Sequence, residues 1–413
     1  MITPAYSPTA TERVLPRLAL DFTTGVLDSR VTVTRALNTA TRVNSSGLIA
    51  GVNANLPRFD YDPVTLAPKG LLIEETRTNQ LLYSQDFSNA AWLTGTSVIK
   101  TANAATGLDG TMSAGRYSKV LGQTTSSSLY NYPSGTLSAG AYTFSIYLKA
   151  DGYDYVSIGA GSSYSPTGET RFNISNGTVV TGTGQITNAG NGWFRCVIFA
   201  TYSSTVDNAI YIGARNQDGT LPVGNGVSGF YVWGGQFEAG AFATSYIPTT
   251  TTSLTRNADV VSMTGTNFSD WYNASEGSFL VVADSFANVT TAVAFRPFSV
   301  TSGSNGTLIG AYLYNGSWGA SSLISFATQF DLSRAGLYTA NTPVGIAIAY
   351  KLNDSAAAIA GTATLTDTSC NVPTVDRLTL GRLNGIDYLN GHVQKLSYWP
   401  QRLINNEARA FSK

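Results

Sequence analysis

The sequence predicts an all-β protein built from antiparallel β-sandwiches and preceded by a mostly extended N-terminal arm. Its 413 residues include 41 Gly and 22 Tyr together with many Ser, Thr and Asn, a mixture that favours short strands and turns over helices. Several segments alternate apolar and polar residues with a period of two, and turn sequences separate them. A chain of this length exceeds what one hydrophobic core usually covers, so two or three domains are expected.

Residues 1–80 are predicted to be the arm. Apolar alternation is limited to residues 17–22 and 31–35, while residues 58–70 contain prolines and a glycine, which favour extended and turn backbone. So little apolar mass is a weak basis for an independent core. We expect this segment either to dock onto something else or to form a loosely ordered terminus.

Residues 81–249 carry the strongest strand signal. In residues 141–150 one face is apolar and the other mostly polar, the apolar positions being Tyr142, Phe144, Ile146 and Leu148. Similar patterns predict further strands at residues 154–160, 170–175, 193–202, 209–215 and 230–238. The Asn-Gly pair at 176–177 predicts a hairpin turn. Short strands that follow one another closely along the chain, without helical periodicity between them, indicate a β-sandwich.

Residues 250–276 are predicted to be a linker, because the Thr/Ser-rich run at 249–256 has no apolar pattern. A second β block follows at residues 277–413, with strands predicted at residues 278–286, 307–315, 344–354, 377–383 and 389–400. Residues 403–411 predict one short helix, with Asn405 or Asn406 as its N-cap and Glu407 in the first turn.

Composition argues against several classes of function. Lys+Arg and Asp+Glu both number 25, so no net charge directs the chain to nucleic acid or to an anionic membrane surface. No apolar run reaches the ~20 residues of a membrane span, and the N-terminus lacks a signal-peptide pattern. One histidine and two cysteines cannot supply a zinc site. Cys196 and Cys370 are expected to be buried as small hydrophobic residues.

Two stretches resemble bacteriophage virion proteins. Residues 71–92, LLIEETRTNQLLYSQDFSNAAW, and residues 230–252, FYVWGGQFEAGAFATSYIPTTTT, resemble the opening and closing strands of a carbohydrate-binding jelly roll carried on phage tails and head fibres. Within the first stretch we expect Arg77 and Asn79 to be turn or cap residues. Its expected core residues are Leu72, Ile73, Leu81, Leu82 and Phe87.

The end of the chain carries a second resemblance. A strand at residues 377–383, then LNGHVQKLSYWPQRL at residues 389–403, then a short helix resemble a laminin-G-like or concanavalin-like jelly roll. Together the resemblances imply two jelly-roll domains and a virion protein of the tail, baseplate or head fibre, released by lysis and present as a homotrimer. They imply a host surface glycan as one partner and other virion proteins, bound through the arm, as the rest.

Glycan binding needs aromatic rings that stack on sugar rings, and amide, guanidinium or carboxylate groups that bind hydroxyls. The candidate ligand-binding residues meet these demands around one Gly/Ser-rich loop, in a polar turn and at an aromatic hairpin tip. They are Tyr153, Tyr155, Tyr164, Arg171, Arg215, Asn216, Gln217 and Asp218 in the first β block, and Tyr312, Tyr314 and Trp318 in the second. The alternative interpretation is that they are solvated loop residues and half-buried strand tyrosines.

Catalysis is not expected. His392, the one histidine, lies in a predicted strand, where a packed or surface role is commoner than that of a base. No E-x-D-x-x-E pattern, found in the glucanases of the concanavalin fold, occurs. Two alternatives stay open: a capsid or baseplate decoration protein that binds only virion proteins, and a polysaccharide-degrading enzyme.

No cofactor is expected. Calcium is a common structural ion of the resembled families and is held by oxygen ligands. The opening strand has Ser88 and Asn89 where the family often has an acid after the phenylalanine, and this departure puts the calcium site in doubt. Asp284 and Asp354 are isolated acids in the second block.

Overall fold

The computed structural model describes residues 15–125, 128–135, 137–160, 164–165, 169–202, 209–287 and 293–413. Nearly all regular structure in these residues is antiparallel sheet, which confirms the all-β prediction. The helical segments are a 3₁₀ turn at Phe22–Thr24, α1 (Thr266–Ser269) and α2 (Asn405–Phe411). Helix α2 confirms the prediction of a terminal helix, but its N-cap is Ile404, whose N–H donates to the Glu407 carboxylate at 3.1 Å.

The strands fall into three stretches of the chain. The first stretch contains β1 (Leu18–Asp21), β2 (Thr32–Thr34), β3 (Ala40–Val43), β4 (Ile49–Val52), β5 (Phe59–Tyr61), β6 (Pro68–Ile73) and β7 (Arg77–Asn79). The second contains β8 (Leu93–Thr94), β9 (Val98–Ala105), β10 (Ala114–Lys119), β11 (Leu129–Asn131), β12 (Gly140–Asp151), β13 (Tyr155–Ala160), β14 (Tyr164–Ser165), β15 (Thr170–Asn173), β16 (Thr178–Thr181), β17 (Gln185–Gly190), β18 (Trp193–Tyr202), β19 (Ile210–Arg215) and β20 (Gly229–Ala239). The third contains β21 (Leu254–Arg256), β22 (Val260–Thr264), β23 (Glu276–Ala283), β24 (Ala294–Thr301), β25 (Leu308–Tyr314), β26 (Ser317–Ile324), β27 (Ala327–Ala335), β28 (Val344–Lys351), β29 (Ser355–Ile359), β30 (Leu365–Asp367), β31 (Arg377–Leu380) and β32 (Gly391–Trp399).

The second stretch forms the central sandwich. One sheet has the order β14-β18-β12-β20-β10-β9, with β17 also paired to β18, and the other has the order β16-β15-β13-β19-β11-β8. The alternating apolar positions predicted in β12 lie in the core between these sheets, because successive side chains of a strand point to opposite faces. On the other face of the same strand, Tyr147 packs against Trp233 and Tyr246.

The first and third stretches together form a composite sandwich. Its eight-stranded sheet has the order β30-β29-β28-β23-β32-β6-β5, with β1 also paired to β32, and its seven-stranded sheet has the order β2-β22-β31-β24-β25-β26-β27. The prediction of a separate arm over residues 1–80 is therefore wrong for residues 18–73, because β1, β2, β5 and β6 complete sheets whose other strands lie more than 180 residues later. Residues 1–14 lie outside the described residues.

The predicted linker, residues 250–276, is also part of the folded unit. Strand β21 pairs with β7, and β22 lies between β2 and β31 in the seven-stranded sheet. Asn79, expected as a turn or cap residue, is buried in β7. Its amide nitrogen donates to the carbonyls of Gly235 and Ile247, and its amide oxygen accepts from the N–H of Phe237. The two stretches that carry the phage resemblance thus bind each other where the central sandwich begins and ends.

A buried ion network lies where the two sandwiches meet. Glu74 and Asp259 accept hydrogen bonds from Arg58, with 2.6 Å between Arg58 Nη1 and Glu74 Oε2, and Arg256 Nη1 lies 3.0 Å from the same Glu74 oxygen. Arg35 binds Asp259 at 2.7 Å. Burial by itself would raise the pKa of Glu74, but Arg256 and Arg58 lower it to about 2. The network joins residues of the first and third stretches, and Ser245, which follows the last strand of the second stretch, donates to Glu74 through its N–H and its hydroxyl.

His392 forms a second buried contact between distant segments. Its Nδ1 lies 2.8 Å from Asp284 Oδ1 and its Nε2 lies 3.1 Å from Asp60 Oδ2. Burial and the nearby Lys69 favour the neutral ring, yet Asp284 and Asp60 raise the pKa of His392 above its usual value. Two carboxylates facing the two ring nitrogens favour the imidazolium, which donates from both. The expectation of a packed histidine is confirmed.

Both cysteines are free and buried, as expected. Burial raises the pKa of the Cys196 thiol. Across the described ranges, no helix is long and apolar enough to cross a membrane.

Candidate functional site

The outer face of the central sandwich carries a cluster of tyrosines and ion-paired side chains. It is formed by β11, β19, β13 and β15, which lie side by side in one sheet. Inward-pointing residues of these strands fill the core, among them Val156, Ile158 and Ile212. Because strand side chains alternate, the residues between them point outward. We call this outer surface the tyrosine face, and its residues are Tyr130, Tyr132, Tyr155, Ser157, Glu169, Arg171, Tyr211 and Arg215.

Tyr211 lies at the centre of the tyrosine face. It is the cross-strand partner of Tyr130 on β11 and of Gly159 on β13. A Cβ atom at Gly159 would meet the Tyr211 ring at 2.9 Å, so the ring lies against the glycine. Tyr130 in turn makes an edge-to-face contact with Tyr132, whose side chain is exposed, with 6.3 Å between ring centroids. Three aromatic rings are therefore held on neighbouring positions of a rigid sheet.

Charged groups border these rings. Arg215 binds Glu169 through Nε and Nη2, with 3.1 Å between Nε and Glu169 Oε2. Burial raises the pKa of Tyr211, and the charges of Glu169 and Tyr132 add to that shift. A Cβ atom at Gly159 would also meet Glu169 Cγ at 3.4 Å, so Glu169 and the Tyr211 ring lie against the same glycine. The bidentate pair holds a carboxylate and a guanidinium in fixed positions next to the ring.

Arg171 lies one strand further along the same face. A Cβ atom at Gly219 would meet its Nη1 at 2.2 Å, which places the guanidinium against the turn that follows β19. Arg171 Nε and the hydroxyl of Ser157, its cross-strand partner, are buried without a hydrogen-bond partner in the part of the chain that the structure describes. A buried polar group without a partner is costly, and both groups lie beneath the surface of the tyrosine face.

The structure brings together most of the candidates predicted in the first β block. Tyr155 and Arg215 are cross-strand partners, and Arg171 lies on the next strand. Asn216 and Asp218 hold the adjoining turn together by hydrogen bonds to Thr220, which gives them a structural role, while Gln217 is exposed at the tip. Only the backbone of Tyr164 is described, in β14; its side chain lies outside the described residues.

Tyr153 does not belong to this face. It precedes β13, its side chain is buried in the core of the central sandwich, and its N–H donates to the Gly229 carbonyl at 3.0 Å. The prediction that Tyr153 binds ligand is wrong, because its side chain points into the core instead of toward the surface.

The predicted hairpin tip in the second β block is also not a binding cluster. Trp318 is fully buried in the core of the composite sandwich, where it packs beside Tyr338. Tyr312 is mostly buried on the outer face of β25, and its hydroxyl donates to Asp331. Tyr314 is 44% exposed, and no ring contact involving it occurs among the described residues. Period-two alternation separates these rings, because Trp318 pairs with the inward-pointing Leu313.

Sequence reasoning missed Tyr130, Tyr132, Ser157, Glu169 and Tyr211. A signal for Tyr211 was present, since it alternates with Ile210 and Ile212 in a predicted strand and must therefore face outward. No comparable signal exists for Tyr130, because β11 has only three residues and reaches this face by pairing with a strand 80 residues later.

The acids considered as calcium ligands have other partners. Asp284 binds His392, and Asp354 lies 2.8 Å from Arg402. Over the described ranges, no group of three or more His, Cys, Asp or Glu side chains is arranged to hold a metal ion.

No protein-family model matches the chain, and no curated protein matches it. Solved structures show partial similarity. The carbohydrate-binding module CBM40 of the Ruminococcus gnavus IT-sialidase, bound to alpha2,3 sialyllactose, matches with 13% identity and a TM-score of 0.29 over 34% of this chain and 84% of that chain. The NanB sialidase from Streptococcus pneumoniae matches with 12% identity and a TM-score of 0.30 over 36% of this chain and 26% of that chain. The receptor-binding domain of botulinum neurotoxin type G matches with 9% identity and a TM-score of 0.29 over 37% of this chain and 38% of that chain.

Proposed function

We propose that this protein binds glycans through the tyrosine face and that it does so as a bacteriophage virion protein that attaches to host surface glycans. The observation that carries the glycan proposal is the arrangement around Tyr211. Its ring lies on Gly159 beside Tyr130, with the Arg215–Glu169 pair at its border. The virion context rests on the resemblance of residues 71–92 and 230–252 to phage proteins.

The chemistry of the tyrosine face suits a neutral or weakly charged sugar chain. Tyrosine rings offer planar surfaces for the apolar faces of pyranose rings, and Glu169, Arg171 and Arg215 supply acceptors and donors for hydroxyls. Tyr130, Tyr155, Arg171, Tyr211 and Arg215 stand on strands, so little conformational freedom is lost when a ligand binds. The face is a sheet surface, so it suits a long chain that lies across several strands.

We also propose that the protein binds glycans without cleaving them. Glycoside hydrolysis uses two carboxyl groups at a fixed separation, one as acid and one as base or nucleophile. On the tyrosine face Glu169 is held by both nitrogens of the Arg215 fork, so it is committed to an ion pair. This supports a binding role in which the carboxylate accepts hydrogen bonds from sugar hydroxyls.

A single shallow site of this kind binds weakly, and several copies on one particle would raise the overall affinity through effective concentration. A homotrimer would present three tyrosine faces. Since residues 18–73 are built into the composite sandwich, we propose that contact with other virion proteins uses the surface of that sandwich.

Substitution of Tyr211 by alanine is expected to weaken glycan binding by about tenfold or more, because the ring that stacks on the sugar is removed. The measurement is a glycan array followed by titration calorimetry with the glycan that gives the strongest signal. Tyr314→Ala is the matched control, since Tyr314 is an exposed tyrosine on the other sandwich, and it should bind as the parent protein does. Equal loss in both variants, or unchanged binding by Tyr211→Ala, would contradict the proposal. Binding to purified virion proteins and to no glycan would favour a decoration protein instead.

A further inference from the structure

A cleft of about 370 Å³ lies between the two sandwiches, away from the tyrosine face. Its walls come from all three stretches of the chain: Arg42 and Lys69 from the first, Tyr147 and Arg195 from the second, and Asn341 and His392 from the third. A cleft of this volume at a domain boundary is a common setting for a small-molecule site.

The carboxylates in the cleft already have partners. Asp60 is bound to His392, and Glu74 is held by Arg58 and Arg256 in the buried network. Asp62 accepts hydrogen bonds from two backbone N–H groups of its own turn. Asp60 and Glu74 are therefore neutralised by these partners, while the charge of Asp62 interacts with that of Lys69.

The cations of the cleft face neutral oxygens. Arg195 Nη2 donates to Ser145 Oγ at 2.9 Å and to the Thr244 carbonyl at 2.7 Å, and its Nε is buried without a hydrogen-bond partner among the described residues. Arg42 Nη1 donates to the Phe59 carbonyl at 2.7 Å. Lys69 makes no ion pair or hydrogen bond within the described ranges, although Asp62 and the His392–Asp284 pair lie close enough to interact electrostatically with it. Within the described ranges, none of these three positive side chains is in direct ion-pair contact with a carboxylate.

The rest of the lining matches a sugar ring. Tyr147 lines the cleft beside Arg195, with 5.5 Å between the guanidinium carbon and the ring centroid. Side-chain amides of Asn188 and Asn341 add donors and acceptors, and Leu72 contributes apolar surface. Aromatic, amide and cationic groups together are what recognise a pyranose that carries a carboxylate.

We propose that this cleft binds an acidic sugar of one or two rings, with Lys69 and Arg195 as the groups that bind the sugar carboxylate. The site is separate from the tyrosine face and does not depend on its function. Binding would also contact residues of both sandwiches, so the ligand would stabilise their packing against each other.

The test is a titration of the full chain with glucuronate, galacturonate, N-acetylneuraminate and a dimer of each, followed by ligand-observed NMR and by the melting temperature. At least one acidic sugar should bind, while glucose and inorganic phosphate should not bind comparably. Lys69→Met should weaken binding by about tenfold, as expected for a lost charged hydrogen bond, and Lys69→Arg should retain most of it. Lys351→Met, which removes an exposed lysine that pairs with Glu276 at 3.5 Å, should have no effect.

Absence of binding by every acidic sugar would overturn the inference, as would equal binding of glucose or unchanged affinity in Lys69→Met. Equal binding of phosphate would show a general anion site and would also overturn it. Tyr211→Ala is expected to leave cleft binding intact, and Lys69→Met is expected to leave binding at the tyrosine face intact. Failure of one proposal is therefore distinguishable from failure of the other.

Discussion

Substitution of Glu74 by glutamine is expected to lower the free energy of unfolding by about 3–5 kcal/mol, because it leaves buried positive charge without its counter-charge. Arg58 and Arg256 both have side chains with 0% exposure, and both lie within 3.0 Å of Glu74 Oε2. Glutamine keeps the shape and can still accept from the Ser245 N–H, so the loss reports the charge rather than a cavity. The measurement is urea unfolding monitored by tryptophan fluorescence.

The matched control is Asp376→Asn. Among the described residues Asp376 forms an ion pair only with its neighbour Arg377, and its side chain is 60% exposed, so its substitution should cost less than about 1 kcal/mol.

The dependence of the unfolding free energy on acid pH is a second check on Glu74. Because the folded-state pKa of Glu74 is about 2 and its ordinary value is 4.5, its contribution is present above pH 4.5 and is lost as the pH falls toward 2. An equal small effect of both substitutions, or a loss of stability in acid that is the same in Glu74→Gln as in the parent protein, would show that the network does not stabilise the fold.

His392 is expected to make the protein less stable as the pH rises above 6.5. Its folded-state pKa is raised by Asp284 and Asp60 despite its burial, so its contribution is complete below 6.5 and is lost as the pH passes through the raised value. The pKa of Asp284 is lowered by His392 despite burial, so the carboxylate side of the contact is lost only in acid, as the pH falls below 3.8. The contact is therefore strongest between about pH 4 and 6.5.

The measurement is the free energy of unfolding between pH 6 and 8, compared with that of His392→Gln. The chain has one histidine, so no other imidazole contributes to the slope. The variant should be less stable at pH 6 and should lose most of the pH dependence in this range. A parent protein whose stability is flat from pH 6 to 8 would contradict the assignment of an imidazolium between Asp284 and Asp60.

The fold of the central sandwich was largely predictable from sequence, because local alternation alone determines which residues of β12, β13 and β19 face the core. The same alternation places Tyr155, Arg171 and Arg215 on the outer face of one sheet, where they are neighbours. It failed for Trp318, where an aromatic hairpin tip was predicted and the alternation of β25 and β26 instead buries the ring.

The role of the first 80 residues could not be predicted in this way. Strands β1, β2 and β6 have three to six residues each, which is too short to show a clear alternation of apolar and polar residues. They are stabilised by pairing with β22 and β32, which lie far along the chain. Asn79 was expected to be a turn or cap residue, and Glu74 lies in the segment that was predicted to be an arm. Their burial depends on partners between about 155 and 185 residues away, which no local pattern reveals.

Hydrogen–deuterium exchange with and without the glycan selected by the array tests the central claim most directly, because it locates the bound sugar on the sheet. Ligand should slow exchange in β13, β19 and the turn at residues 216–220, and this protection should be absent from Tyr211→Ala. Protection confined to β25 and β26 of the composite sandwich, with none in β13 and β19, would contradict glycan binding by the tyrosine face.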